Sequence, residues 1–219
     1  PAGPPFVEYV ITQVVKKPVI YDFDDAIWLT DRTAESWFSR LLRCRWKVRF
    51  ICKWSYKISC GNSYLADYAR QFNQDVVVNP TSIDTDVHTP VAKTNSAKEK
   101  IVIGWTGSHT TLKYLRTILP VLQILERTYP EIEFLIIADK NPRLRLKNVI
   151  FRRWRIETEI SDLRQIDVGV MPMPNDGWTR GKCGFKALQY LAIEIPAVVA
   201  PVGVNKEIVE HGVTGYWCT

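Results

Sequence analysis

The run "NDGWTRGKCGFKALQYLA", from Asn175 to Ala192, sets Arg180, Lys182 and Lys186 among glycines just ahead of an apolar helical pattern. A helix start exposes unpaired N–H groups and the positive end of the peptide dipole, so lysines there cost roughly a few tenths of a kcal/mol each. A bound phosphate reverses that sign. Glycines at 181 and 184 let the backbone approach such a group closely. Lys182 and Lys186 lie four apart and would share one helical face. The competing reading is that both lysines are simply solvated, and spacing alone does not separate the two.

Two further segments have the composition of a phosphate cradle. "GWTGSHTT" holds Gly107 and Ser108, and "PVGVNKE" holds Gly203 to Glu207. Neither contains GxGxxG or GxxxxGK[ST], which argues against NAD enzymes and P-loop ATPases. "YDFDD" offers Asp22, Asp24 and Asp25 to a hard cation, although acids at a strand end equally often cap the next turn. The histidines at 88, 109 and 211 are dispersed, and only His109 falls in a candidate phosphate loop. Spacing yields no nucleophile with a base, so no catalytic residue, metal or cofactor is assigned. Five cysteines without a CxxC pair fit the reduced thiols of a cytosolic protein.

These residues need elements to position them. "KKPVIYDFDDAIW" reads as a short strand, Pro18 to Phe23, running into an acidic turn. Trp37, Leu41, Cys44, Val48 and Ile51 recur at three- and four-residue steps, which predicts one face of a single helix. "YKISCGNSYLADYARQF" predicts strand, turn and helix with Asn62 or Ser63 as N-cap, and "DVVVNP" another strand. The polar stretch "TSIDTDVHTPVAKTNSAKEK" reads as an inter-domain linker. Beyond it, apolar β-branched runs alternate with amphipathic helices, which means a parallel sheet covered on both faces. Pro120 should kink or break the first long helix of that part. In such sheets ligands bind beyond the carboxyl ends of the strands, where all three cradle-like segments fall.

No run of eighteen apolar residues is present, and the start lacks the basic-then-apolar order of a signal peptide. Without an initiator Met, the chain is expected to be a fragment of something longer. The net charge of +6 is unevenly placed. Seven Lys/Arg and no Asp/Glu lie between Ser36 and Ala66, interleaved with tryptophan and phenylalanine. That pattern suggests an anionic partner, with a plain solvated face as the alternative.

The block "DVGVMPMPNDGWTRGKCGFKALQYLAIEIPAVVAPVGVNKEIVEHGVTGYW" resembles the donor-binding region of group-1 retaining glycosyltransferases of the GT-B fold. "YDFDDAIW", "CGNSYLADYARQF", "NPTSIDTD" and "IGWTGSHTTLKYL" are similar to other segments of that group, so the resemblance covers nearly the whole chain. It implies an α/β protein: a GT-B-type, Rossmann-like doubly wound parallel sheet as C-terminal donor domain, over 93–219 and incomplete at its end. A partial N-terminal, acceptor-side α/β domain with the linker would occupy 1–92. The implied activity is transfer of a sugar from a nucleotide-diphosphate sugar, UDP- or GDP-linked, to a glycan or lipid-linked acceptor with retention of configuration.

The resemblance also implies roles. Gly107, Ser108, Arg180, Lys182, Gly184, Phe185 and Lys186 would meet the donor diphosphate, and Gln189, Asp139 and Trp154 its ribose and base. Gly203, Val204, Asn205 and Glu207 would meet the donor sugar. The family usually carries two glutamates eight positions apart, which fall on Gly181 and Gln189 here, and a cationic pair in the loop that here reads "GWTGSHTT". Arg180, Lys182 and Lys186 are expected to take over diphosphate neutralisation. A cytoplasmic enzyme, docked on an anionic membrane face through 37–57 and binding no nucleic acid, is the leading expectation. An inactive nucleotide-sugar-binding subunit and a basic nucleic-acid-binding module are the alternatives.

Overall fold

The computed structural model describes residues 3–30, 36–90 and 100–218. It divides into two compact units, Pro1–Thr81 with Asn175–Cys183, and Ser82–Pro174 with Gly184–Thr219. The first contains a three-stranded parallel sheet of β1 (Ile20–Phe23), β2 (Lys57–Cys60) and β3 (Val76–Val78), in that order. Its core gathers Phe23, Val48, Cys52, Ile58, Leu65 and Ala69. Helix Ser63–Arg70 starts at Asn62, whose side chain accepts the Leu65 N–H, so one of the two expected caps is used.

The single helix expected over Trp37–Ile51 is two, Trp37–Arg43 and Lys47–Trp54. Cys44 lies between them at φ +44, a left-handed conformation that no α-helix continues through. After the break the expected face holds, with Cys44, Val48 and Ile51 turned inward, but before it the expectation fails: Trp37 is largely exposed. Two elements went unread in the sequence. A helical segment covers Phe6–Val14, partly with π geometry. The stretch taken as a plain glycine-rich loop contains helix Gly177–Arg180, opened by a capping box between Asp176 and Thr179.

The second unit is built on β4 (Ile101–Gly107), β5 (Ile132–Ala138), β6 (Val149–Arg153), β7 (Val168–Met171), β8 (Ala197–Val199) and β9 (Gly215–Trp217). All pairs are parallel, in the order β6-β5-β4-β7-β8-β9. Alternate residues of β5 enter different cores. Leu135 and Ile137 pack with Leu163, Tyr190 and Ala187 on one face, while Phe134, Ile136 and Ala138 pack with Leu112, Leu115 and Leu122 on the other. Because side chains along a strand alternate faces, the sheet is covered on both sides, hence doubly wound. The long helix does break near Pro120: Leu112–Thr117 is followed by Leu119–Thr128, with the proline in the first turn, where its missing N–H costs nothing.

Ser82–Pro90, read as the beginning of a linker, belongs to the second unit, where His88 is buried and Thr89 accepts from the Arg164 guanidinium at 2.8 Å. The rest of that expected linker, 91–99, lies outside the described residues.

Candidate functional site

Strand order reverses direction at β4: successive strands run outward to one side through β5 and β6 and then to the other through β7, β8 and β9. Such a switch point opens a crevice at the carboxyl edge. Here its physical origin is visible. β4 pairs with β5 from Ile101 to Gly107 but with β7 only at Ile103 and Gly104. The Thr106 N–H, past the end of that short ladder, donates instead to the Tyr190 hydroxyl at 3.2 Å. Tyr190 reaches it because Gly169 lies under its ring; a Cβ there would stand 2.4 Å from a ring carbon. Since the sheet is parallel throughout, the segments following β4, β5, β6 and β8 emerge at one edge. Gly107 ends β4, and Ser108, Asp139, Trp154, and Gly203 to Glu207 lie on those segments.

Helix Phe185–Ala192 follows β7 and packs on this sheet. Its N-cap, Gly184, has φ +72 and offers no side-chain acceptor, and its first turn carries no acid. Lys186, in that turn, holds its Nζ 5.8 Å from the centre of the Trp105 ring. The helix start is pressed against the next turn: a Cβ on Gly184 would come 2.2 Å from Ile208 and 3.2 Å from Val204. Asn205, buried there, donates through Nδ2 to the Ala200 carbonyl at 2.9 Å. Its Oδ1 is buried with no hydrogen-bond partner among the described residues. Gly203 takes φ +55 at the bend before it, while Phe185 and Glu207 are exposed.

Gln189 is 2% exposed and its Nε2 donates to Glu159 Oε1 at 3.1 Å. Trp154 Nε1 donates to the same oxygen at 2.9 Å. His88 Nδ1 lies 3.0 Å from the Asp84 carbonyl, an acceptor only, so Nδ1 carries the proton. That leaves Nε2 to accept from the Gln189 amide, 3.5 Å away, at the long limit of a hydrogen bond. Gln189 and Trp154, expected to share a role, are therefore joined through a carboxylate that sequence reasoning missed. The signal for Glu159 was present, as an acid opening the helix after β6 in "ETEISDL". His88 gave none beyond its type.

Asp139, expected near the base, is otherwise engaged. Its carboxylate accepts the His109 backbone N–H at 2.6 Å and the ring Nδ1 at 2.5 Å, tying the loop after β4 to the end of β5. The hydrogen bond from the His109 ring holds the Asp139 carboxyl below its ordinary range. Ser108 and Thr110 hydroxyls share a hydrogen bond at 2.7 Å in the same loop.

The three cations expected to converge are divided between the units. Arg180 and Lys182 belong to the first, Lys186 to the second. Lys182 Nζ donates to Asp25 at 2.8 Å, and Arg180 Nε to Asn175 Oδ1 at 2.8 Å. Asn62 Nδ2 lies within 3.4 Å and 3.2 Å of the Arg180 and Lys182 carbonyls. Cys183 donates to the Asp24 carbonyl, and burial pushes its thiol up to about 11, so it is no thiolate nucleophile. Asp25, considered for a cation, has an ammonium as its partner.

A sequence profile described as "Glycosyl transferases group 1" matches residues 100–219. The chain belongs to the group-1 glycosyltransferases. The parallel α/β architecture is that of GT-B members of this group. Against Anabaena Alr3699/HepE, solved with UDP and glucose, the TM-score is 0.72 at 15% identity, over 97% of this chain and 61% of that one. Against sucrose-phosphate synthase from Thermosynechococcus elongatus it is 0.71 at 14%, over 96% and 57%. A UDP-forming trehalose-phosphate synthase from Burkholderia xenovorans gives 0.62 at 14%, over 93% and 58%. The chain thus spans roughly six-tenths of these group members' length. No curated protein sequence matches it.

Proposed function

We propose that the second unit binds a nucleotide-diphosphate sugar along the carboxyl edge of its sheet. The protein containing it would transfer that sugar to a glycan or lipid-linked acceptor with retention of anomeric configuration. The observation that carries this reading is the start of helix Phe185–Ala192: a left-handed glycine cap, no acid in the first turn, and Lys186 within it, beside the β4/β7 switch point. Backbone N–H groups and one cation there suit a leaving diphosphate. Gly107 and Ser108 would face the same group, Gly203 to Glu207 the sugar, and the Trp154–Glu159–Gln189 chain the ribose and base. With the amide at 189, Glu159 is the carboxylate that could accept ribose hydroxyls. Charge stabilisation of the leaving diphosphate needs no enzyme nucleophile, in keeping with a helix start that offers N–H donors and a cation.

UDP or GDP is the expected donor moiety; of the similar proteins, one was solved with UDP and glucose and another is a UDP-forming synthase. A thermal-shift screen of the chain against UDP, GDP, ADP and their sugars tests it. A rise in melting temperature with one diphosphate, lost in Lys186→Ala, supports the reading, and no rise with any of them defeats it. A second reading, a subunit that binds donor without transferring the sugar, is favoured by the lack of carboxylates at both Gly181 and Gln189. Donor binding without hydrolysis or transfer, in a chain completed to the length of its relatives, would select it.

A further inference from the structure

The first unit carries a surface that donor binding does not use. Helix Lys47–Trp54 buries Val48, Ile51 and Cys52, yet the helix before it and the junction between them show apolar side chains outward. Trp37 is 76% exposed, Phe38 56%, Leu42 49% and Trp46 47%. Phe38 and Leu42 are one helical step of four apart on the first helix, and Trp46 caps the start of the second. The N-terminal segment extends the patch. The Gly3 N–H donates to the Leu42 carbonyl at 2.8 Å, buried Lys47 reaches the Gly3 carbonyl, and the Tyr9 ring meets Trp54 edge-on at 5.3 Å. On that segment Phe6 and Val7 are 70% and 64% exposed. Tryptophan, phenylalanine and leucine gathered on one outward face suit a second apolar phase.

Charge identifies that phase. Arg49 and Lys53 are exposed on the second helix, Arg49 lying 4.7 Å over the Phe50 ring. They belong to the run of seven Lys/Arg without an acid between Ser36 and Ala66. Glu8 is the carboxylate on the adjoining N-terminal helix, and Asp31 and Glu35 lie outside the described residues. Tryptophan rings with a cationic rim match the headgroup layer of an anionic bilayer, where aromatic rings sit at the polar boundary and each cation adds about 1 kcal/mol. We propose that this face, built from Phe6–Tyr9 and Trp37–Trp54, docks the protein on anionic lipid. Among the described residues no helix is long and apolar enough to cross a membrane, so the attachment is to the surface.

Co-sedimentation of the 219-residue chain with phosphatidylglycerol or phosphatidylcholine vesicles tests this without any nucleotide, so its outcome is independent of donor binding. Binding is expected to phosphatidylglycerol vesicles at low salt, weakened by added salt, with little to phosphatidylcholine. Arg49→Glu/Lys53→Glu should lower the partition at least about tenfold at low salt. Trp37→Ser/Phe38→Ser should lower it at every salt concentration. No binding by the unaltered chain to phosphatidylglycerol, or equal binding to both vesicle types, overturns the proposal. So does a self-associating chain whose dimer, seen by gel filtration, is abolished by Trp37→Ser/Phe38→Ser, because the stripe would then be covered by a second copy.

Discussion

Asn175–Cys183 and Gly184–Ala192 are consecutive in sequence, alike in glycine and lysine, and opposite in structural commitment. The first half is bound into its unit by reciprocal contacts: Lys182 to Asp25, Asn62 to two carbonyls, Cys183 to the Asp24 backbone, and a capping box around Thr179. The second half opens a helix whose cap has no side-chain acceptor. Cations in the first half already have local acceptors, whereas the first turn of the second half has electropositive backbone and no acid. The comparison teaches that residue type and spacing identify a possible anion site, while the topology decides which acceptors the cations of each half meet.

The largest effect should come from Gly184. Gly184→Val forces a β-branched residue into φ +72 and drives its Cβ into Ile208. A loss of roughly 2–4 kcal/mol is expected in urea unfolding, together with loss of nucleotide binding. Tyr190→Phe removes the acceptor of the Thr106 N–H and should cost about 1–3 kcal/mol by the same measurement. The two lysines then set the halves against each other. Lys186→Ala should weaken UDP or GDP binding by about tenfold in calorimetry, with stability nearly unchanged. Lys182→Ala should leave that affinity within about twofold and alter stability by less than about 1 kcal/mol, since the Asp25 pair is partly solvated. Equal losses of affinity in both variants would erase the distinction.

The smallest effect concerns Asp139. Its carboxyl is held below the ordinary value of 3.8 in the folded state, so the unfolded chain binds its proton first as pH falls. The stabilisation is present above that value and is lost as pH drops through the folded one. Asp139→Asn should therefore melt below the unaltered chain at pH 6, and the gap should narrow toward pH 3.

Much of the second unit was legible because most of its strands are short apolar runs and four of them are followed by helices, a local pattern. Pro120 marked its break for the same reason, a property of one residue. The break at Cys44 was not legible, since cysteine has no preference for positive φ and the apolar spacing continues across it. At the candidate site, glycines and the lysine of a helix start could be read from the chain. The Glu159 contact to Gln189 could not, because it joins residues thirty apart, and neither could the Asp25 partner of Lys182, 157 positions away. Long-range acceptors are set by topology, and a glycine-rich segment does not show which of them its cations will meet.

The unfinished ladder beside β4 carries a last consequence. Main-chain hydrogen bonds elsewhere fix strand separation, but beyond Gly104 and Gly169 a phenol spans the gap. The tie at that place is thus one buried side chain at position 190, with Gly169 granting it room. A change at either residue would loosen β4 beside β7 while every other rung of the sheet stays in register.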